Sequence, residues 1–346
     1  MLRDEFHNYS SATRTIAHIL EASDQIVLTT HARPDGDGIG SLLALRNALI
    51  ELGKSPYCVV VSPVPSNLRF LPGSGAIEHY DPRLHETLIA RSDAIVCLDF
   101  NRLSRIEAMG ELVRSALGRR ILIDHHLDPE DCFDAVLHDV DIASTAELVF
   151  VLIALEFPSI LTHDVAVPIY TGIVTDTGSF RFPRVTPRTH RIVAALIEAG
   201  VQPSLVHEAI YDTNTIARLR LLGDLLQNIE IGCAGRCALM TLSRHQLLRS
   251  GVTLEDTEGF VNYTLSISGV KVGIFLSQLL DQEAVKVSLR SKGNADVRKI
   301  AEQLGGGGHL NAAGAVVRGM SLDNVRQHIL NLAAELLETT PPLQQL

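Results

Sequence analysis

Thr29-Thr-His-Ala-Arg-Pro-Asp-Gly-Asp-Gly-Ile-Gly-Ser41 is the stretch on which the reading of this chain turns. It follows Gln25-Ile-Val-Leu28, an apolar, β-branched run that reads as a buried strand, and it leads into Leu42-Leu-Ala-Leu45, which opens a helical pattern. His31, Asp35 and Asp37 therefore sit on a strand-to-helix loop. Pro34 stiffens the turn, and the glycines among the ligands permit close backbone approach. One imidazole and two carboxylates over seven residues form a set suited to a divalent cation. An ordinary polar turn has a similar composition, so the assignment depends on ligands arriving elsewhere. An EF-hand fits poorly: the flank is a strand, and the twelfth position counted from Asp35 is Arg46 where that loop needs Glu.

Outward from this loop, strands and helices alternate. The patterns predict strands over 25–30, 57–61, 94–98 and 120–123, with helices over 10–22, 39–52, 83–91 and 102–117. Near-continuous apolar strands between helices imply a parallel sheet covered on both faces, and such sheets bind ligands at the carboxyl ends of their strands. Three strands end in metal-type ligands. The first ends at His31, the next at Asp99, and the third in Asp124-His125-His126. Successive residues leaving a strand point in different directions, so His125 and His126 do not serve one cation equivalently; one is a ligand, the other a substrate or supporting group.

Helical patterns follow over 144–157 and from Asp164, the latter running into Thr171-Gly-Ile-Val-Thr-Asp-Thr-Gly-Ser-Phe180, where Asp176 is a lone carboxylate among small residues. Arg181, Arg184, Arg188 and Arg191 place positive charge nearby. The expected organisation is a catalytic domain over 1–194, a helical linker over 195–228 and a smaller α/β domain over 229–346. The last should hold strands near 236–242, 270–279 and 284–290, a helix over 294–304, and a final strand and helix. Between them stands Gly305-Gly-Gly-Gly-His-Leu-Asn-Ala-Ala-Gly314. A backbone without side chains presents N–H groups to an anion, and Arg290, at the end of Val285-Lys-Val-Ser-Leu-Arg290, is a natural second contact.

The composition narrows the class of protein. At 346 residues, 46% apolar and 20% charged, the chain has material for two cores. The opening Met1–Asn8 lacks the apolar segment of a secretory leader, and the longest apolar run, Leu148–Leu155, is too short to cross a bilayer, so a cytoplasmic protein without membrane attachment is expected. The five cysteines are scattered and odd in number, and Cys233 and Cys237 are expected to be buried or incidental thiols. A net charge of -10 and the absence of Trp argue against a basic groove for duplex DNA or an extended stacking platform.

Taken together, His31-Ala-Arg-Pro-Asp35-Gly-Asp37, Asp99, Asp124-His125-His126, Thr175-Asp176-Thr-Gly and Gly305-Gly-Gly-Gly-His309 resemble, in order, the motifs of the DHH phosphoesterase family with its associated substrate-binding domain. The resemblance covers nearly the whole chain and is nearest to the NrnA subgroup, oligoribonucleases that commonly also act on 3′-phosphoadenosine 5′-phosphate. It implies an α/β fold, an N-terminal parallel-sheet DHH domain joined by the linker to a smaller α/β substrate-binding domain. It implies a first cation on His31, Asp35 and Asp99, and a second on Asp37, Asp99, His125 and Asp176, with Asp99 bridging. Asp124 would orient the histidines, and His126 would face the scissile phosphate. Arg290, Gly306, Gly307, Gly308 and His309 would hold the substrate's terminal phosphate, with domain closure restricting substrate length. Oxygen and imidazole donors without thiolate favour manganese, ahead of magnesium or cobalt. The implied partners are short RNA or nucleotides, and the resemblance is compatible with a homodimer. Cyclic-dinucleotide phosphodiesterases, pyrophosphatases or polyphosphatases, and a non-catalytic metal-dependent nucleotide sensor are the competing readings.

Overall fold

The computed structural model describes residues 5–280 and 283–339, arranged as two compact units that divide between Thr213 and Asn214. The helical stretch 195–228 is shared by the two. Leu196, Val201, Val206 and Ile210 pack into the core of the first unit, whereas Leu221, Leu222 and Leu225 belong to a core of the second.

In the first unit, helix α1 (Ser10–Ala22) precedes β1 (Ile26–Thr30), α2 (Gly36–Glu51) and β2 (Tyr57–Val60). Strand β3 (Ile77–His79), α3 (Pro82–Arg91) and β4 (Ala94–Leu98) come next, then α4 (Gly110–Ser115), β5 (Arg119–Asp124) and β6 (Ala135–His138). Helices α5 (Thr145–Glu156), α6 (His163–Asp176), α7 (Pro187–Glu198) and α8 (Pro203–Tyr211) complete the unit. All six strands are parallel, in the order β3-β2-β1-β4-β5-β6. The order reverses between β1 and β4, so the loops leaving their carboxyl ends diverge there and open a crevice. His31 follows β1 and Asp99 follows β4 at that point.

The edge strands β3 and β6 escape the periodicity because they are three and four residues long. The segment 102–117 is not one helix. A 3-10 stretch, Leu103–Met109, breaks at Glu107 (φ 46°, ψ -119°) before α4 begins, and a Cβ at Gly110 would lie 2.6 Å from the Leu103 carbonyl oxygen. That crowding holds the chain in a tight turn that an amphipathic pattern does not reveal.

Helices α2 and α6 approach closely behind the crevice. A Cβ at Gly40 would stand 2.5 Å from the Pro168 carbonyl oxygen, and one at Gly172 would stand 2.8 Å from Asp37 Oδ1. Glycine at these two positions lets one helix bring its first turn, and the other its last, to the same place.

The second unit comprises α9 (Ile216–Gln227), β7 (Glu230–Gly232), β8 (Cys237–Leu242), α10 (Arg244–Ser250), α11 (Val261–Leu265), β9 (Val272–Gln278), β10 (Ala284–Ser291), α12 (Arg298–Gln303), β11 (Gly307–His309), β12 (Ala312–Arg318) and α13 (Leu322–Thr339). Its sheet runs β11-β12-β10-β9-β8-β7, antiparallel except for β8 with β9. One face, with Val285, Val287 and Leu289, packs on residues of α12 and α13. On the other, Met240, Leu242 and Phe275 pack against residues of α9 and α11.

One expectation needs correction here. Cys233 and Cys237 are not separate thiols but a disulfide, with Cα atoms 5.4 Å apart. Cys233, Ala234 and Gly235 all take left-handed conformations in the turn between β7 and β8, which brings the two residues together. The four glycines divide between a helix end and a strand. Gly305 (φ 75°) ends α12, its N–H bonding to the Glu302 carbonyl at 3.1 Å and that of Gly306 to the Ala301 carbonyl at 2.8 Å, the paired bonds of a Schellman cap. Gly307 and Gly308 then enter edge strand β11. Among the described residues no helix is long and apolar enough to cross a membrane.

Candidate metal centre

The crevice of the first unit gathers every ligand-type residue predicted for that unit. Asp35 caps the N-terminus of α2, its Oδ1 accepting from the N–H groups of Asp37 and Gly38 at 3.0 and 3.1 Å, and its side chain stays 60% exposed at the rim. Asp37, in the first turn of the same helix, is buried and faces the N-terminus of α5. Its Oδ2 accepts from the Thr145 N–H at 2.7 Å and its Oδ1 from the Ala146 N–H at 2.9 Å. Two backbone donors at a helix N-terminus fix this carboxylate in orientation and favour its negative charge. Asp99, in the left-handed region at φ 65°, is also buried and accepts the Thr145 hydroxyl at Oδ1, 2.8 Å. Asp176 is the last residue of α6.

The distances sort these groups into sets. His31 Nε2 lies 3.5 Å from Asp99 Oδ2 and 3.8 Å from Asp35 Oδ1. His125 Nε2 lies 3.6 Å from Asp99 Oδ1, 3.6 Å from Asp176 Oδ2 and 3.9 Å from Asp37 Oδ2. His31, Asp35 and Asp99 make one cluster with convergent ligand atoms, and Asp37, His125 and Asp176 another. Asp99 stands between them, with one oxygen toward each histidine.

The donor set fits divalent cations. His31 Nδ1 is 3.0 Å from the Ala32 carbonyl oxygen, an acceptor that fixes the tautomer and leaves Nε2 as the ligating atom. His126 is oriented differently: Nδ1 is 2.7 Å from Asp124 Oδ1, and its backbone carbonyl is 2.6 Å from His138 Nε2. The two rings of the pair meet edge to face at 85°. The two histidines are held by different partners, His125 Nε2 lying nearest Asp37, Asp99 and Asp176. Among the described residues, Oδ2 of Asp124 is buried with no hydrogen-bond partner.

The electrostatics make the same case. Burial, then the charges of Asp35 and Asp99, push the Asp176 carboxyl up to about 8. Burial and the charges of Asp99, Asp176 and Asp35 raise Asp37 well above the carboxylate range, against the stabilising Ala146 N–H. Burial opposes protonation of His31, but hydrogen bonds to Asp35 and Asp99 overcome it and push the imidazole up to about 10. Burial lowers His125. Asp37 and Asp176 thus retain protons where positive charge is wanted, and a cation would displace them.

Of the four arginines that follow Asp176, Arg188 turns inward, its Nη1 donating to the Tyr9 hydroxyl at 3.0 Å with Nε 3.8 Å from Glu147 Oε2, and Arg191 pairs with Glu5. Arg184 acts on His125 and Asp176 through its charge, and Arg105 on His126. Sequence reasoning missed Thr145, His138 and Arg105. A signal existed for the first: Ser144-Thr-Ala-Glu147 has the form of a helix start, and Ser144 does cap α5.

In the second unit, His309 on β11, Ala312 on β12 and Arg290 on β10 share one row of the sheet, so His309 and Arg290 lie on the same face two strands apart. The Gly306 N–H, bound to Ala301, is spent on the helix cap.

Comparison with known proteins gives a consistent picture. Residues 25–173 match the model of the DHH family, N-terminal domain, and residues 239–339 that of the DHHA1 domain. The chain is 34% identical over 330 residues to the bifunctional oligoribonuclease and PAP phosphatase NrnA of Thermus thermophilus, covering 95% of each chain. It is 29% identical over 297 residues to the protein of the same name from Bacillus subtilis, covering 85% of this chain and 90% of that one. Among solved structures, that of an exopolyphosphatase-related protein from Bacteroides fragilis superposes with a TM-score of 0.90 at 35% identity, covering 95% of this chain and 98% of the other.

Proposed function

The chain belongs to the DHH family of phosphoesterases, and from that premise we propose that it hydrolyses short oligoribonucleotides to nucleoside 5′-monophosphates and dephosphorylates 3′-phosphoadenosine 5′-phosphate. Relatives that bear both activities in their names align along nearly the full chain, in both domains. The observation that carries the reading is the position of Asp99, with one carboxylate oxygen toward His31 and the other toward His125.

In this reading His31, Asp35 and Asp99 hold one divalent cation, and Asp37, Asp99, His125 and Asp176 a second, with manganese the ion best suited to the donors, ahead of magnesium or cobalt. Such cations, when bound, polarise phosphoryl oxygens and lower the pKa of water. The chain's own groups do the rest. Thr145 and the first amides of α5 hold Asp99 and Asp37 in place. Asp124 accepts the Nδ1 proton of His126, which leaves Nε2 to exchange a proton with the phosphoryl or leaving oxygen. In the second unit Arg290 and His309 receive a terminal phosphate. Gly307 and Gly308 supply a floor without side chains, and Gly306 contributes by shaping the turn.

The test is product release with manganese from a 5′-phosphorylated RNA dinucleotide, a long RNA, 3′-phosphoadenosine 5′-phosphate and pyrophosphate in parallel. Rapid turnover of the first and third with the long RNA nearly untouched is expected. Turnover of pyrophosphate alone, or of none, overturns the assignment.

A further inference from the structure

The face of the second sheet that carries Arg290 carries a second cation. Lys286, Ser288 and Arg290 alternate along β10 with Val285, Val287 and Leu289, whose side chains enter the core, so the three polar residues project from the other face at intervals of about 6.8 Å. Beside them on β12, Ala312 is in register with Arg290 and Gly314 with Ser288, leaving the adjacent surface low. The carboxylate of Glu258, 71% exposed, is placed at this surface: Oε2 is 3.6 Å from Lys286 Nζ and Oε1 is 4.0 Å from Arg290 Nη2. The two cations start about 13 Å apart at their Cα atoms, four residues along one strand, yet lean toward one carboxylate. Exposed ion pairs at these distances are weak, so a stronger anion displaces this one.

We propose that Lys286 and Arg290 form a two-cation clamp for a phosphate monoester dianion, and that Glu258 fills the anion position until substrate replaces it. Lys286 and Glu258 are then specificity-determining residues. A monoester carries close to two negative charges and engages both cations, whereas a diester or a free hydroxyl gives Lys286 little to hold. The inference rests on the reading of the protein as a hydrolase of short phosphorylated oligonucleotides.

The full-length protein is assayed with 5′-phosphorylated and 5′-hydroxyl RNA dinucleotides, and binding of adenosine 5′-monophosphate is measured by calorimetry without added metal. Lys286→Met should reduce the kcat/KM preference for the phosphorylated dinucleotide about five- to tenfold, through KM, and weaken mononucleotide binding similarly. Glu258→Gln should lower KM for the phosphorylated dinucleotide about two- to fivefold and tighten mononucleotide binding, because an internal competitor is gone. An unchanged preference in Lys286→Met, or weaker binding in Glu258→Gln, overturns the clamp. If the wild type cleaves no dinucleotide, the assigned activity fails, while the mononucleotide comparison still decides the clamp.

Discussion

The Thr145 hydroxyl donates a 2.8 Å hydrogen bond to Oδ1 of Asp99, joining the start of α5 to the residue that separates the two ligand clusters. The same residue's N–H binds Asp37, so a single threonine supports one carboxylate from each cluster. Thr145→Val keeps the shape and the N–H but removes the hydroxyl. Manganese affinity and turnover should fall by about 10- to 100-fold, as for other partners of ligating carboxylates. Metal titration followed by calorimetry checks this, and wild-type affinity in the variant would remove Thr145 from the site.

Asp99→Asn retains size but loses the negative charge shared by the clusters. Turnover should drop on the order of 10³-fold while circular dichroism shows an intact fold. Residual activity near the wild-type level would contradict the bridging position.

Glu147 offers a pH dependence away from the ligands. It is fully buried beside Arg188, with Asp139 also acting on it, and burial pushes its carboxyl up to about 7 from 4.5. The folded state therefore binds its proton more tightly than the unfolded chain. The associated stability is fully present below about pH 4.5 and is lost as pH rises to about 7, a change of about 3 kcal/mol. Urea unfolding of the wild type and of Glu147→Gln at pH 5 and pH 8 isolates this contribution, since only the wild type should weaken through it. Equal pH dependence in both proteins would place the titration elsewhere.

Gly305 and Gly306 should respond differently to alanine. At Gly305 (φ 75°) a Cβ meets nothing within 4 Å, so the cost is conformational, about 1 kcal/mol. At Gly306 a Cβ would stand 2.1 Å from the Gly314 carbonyl oxygen, and the strand pair must shift, for about 2–3 kcal/mol. Thermal unfolding of the two variants should rank them in that order.

Much of this site is legible in the sequence because its ligands follow strands. Buried strands announce themselves by continuous apolar runs, and a parallel sheet puts their carboxyl ends on one edge, so His31, Asp99 and the Asp124-His125-His126 triplet could be brought together before any coordinates. Asp176 depended on motif order, since a residue ending a helix carries no such positional rule. Chain periodicity is a local property, and the residues it misses are set by non-local approach. Thr145 matters because α5 points its N-terminus at Asp37, and Gly172 because α6 passes against α2. Cys233 and Cys237 meet because a left-handed turn folds the chain back on itself. The run of four glycines is divided, two closing a helix and two entering a strand, by hydrogen bonds to Ala301, Glu302 and the β12 edge. The sequence by itself determined the donor types, their order and the parallel sheet that collects them. Only the tertiary structure decided which backbone and hydroxyl groups hold those donors in place, because such contacts join segments whose separation along the chain carries no periodic signal.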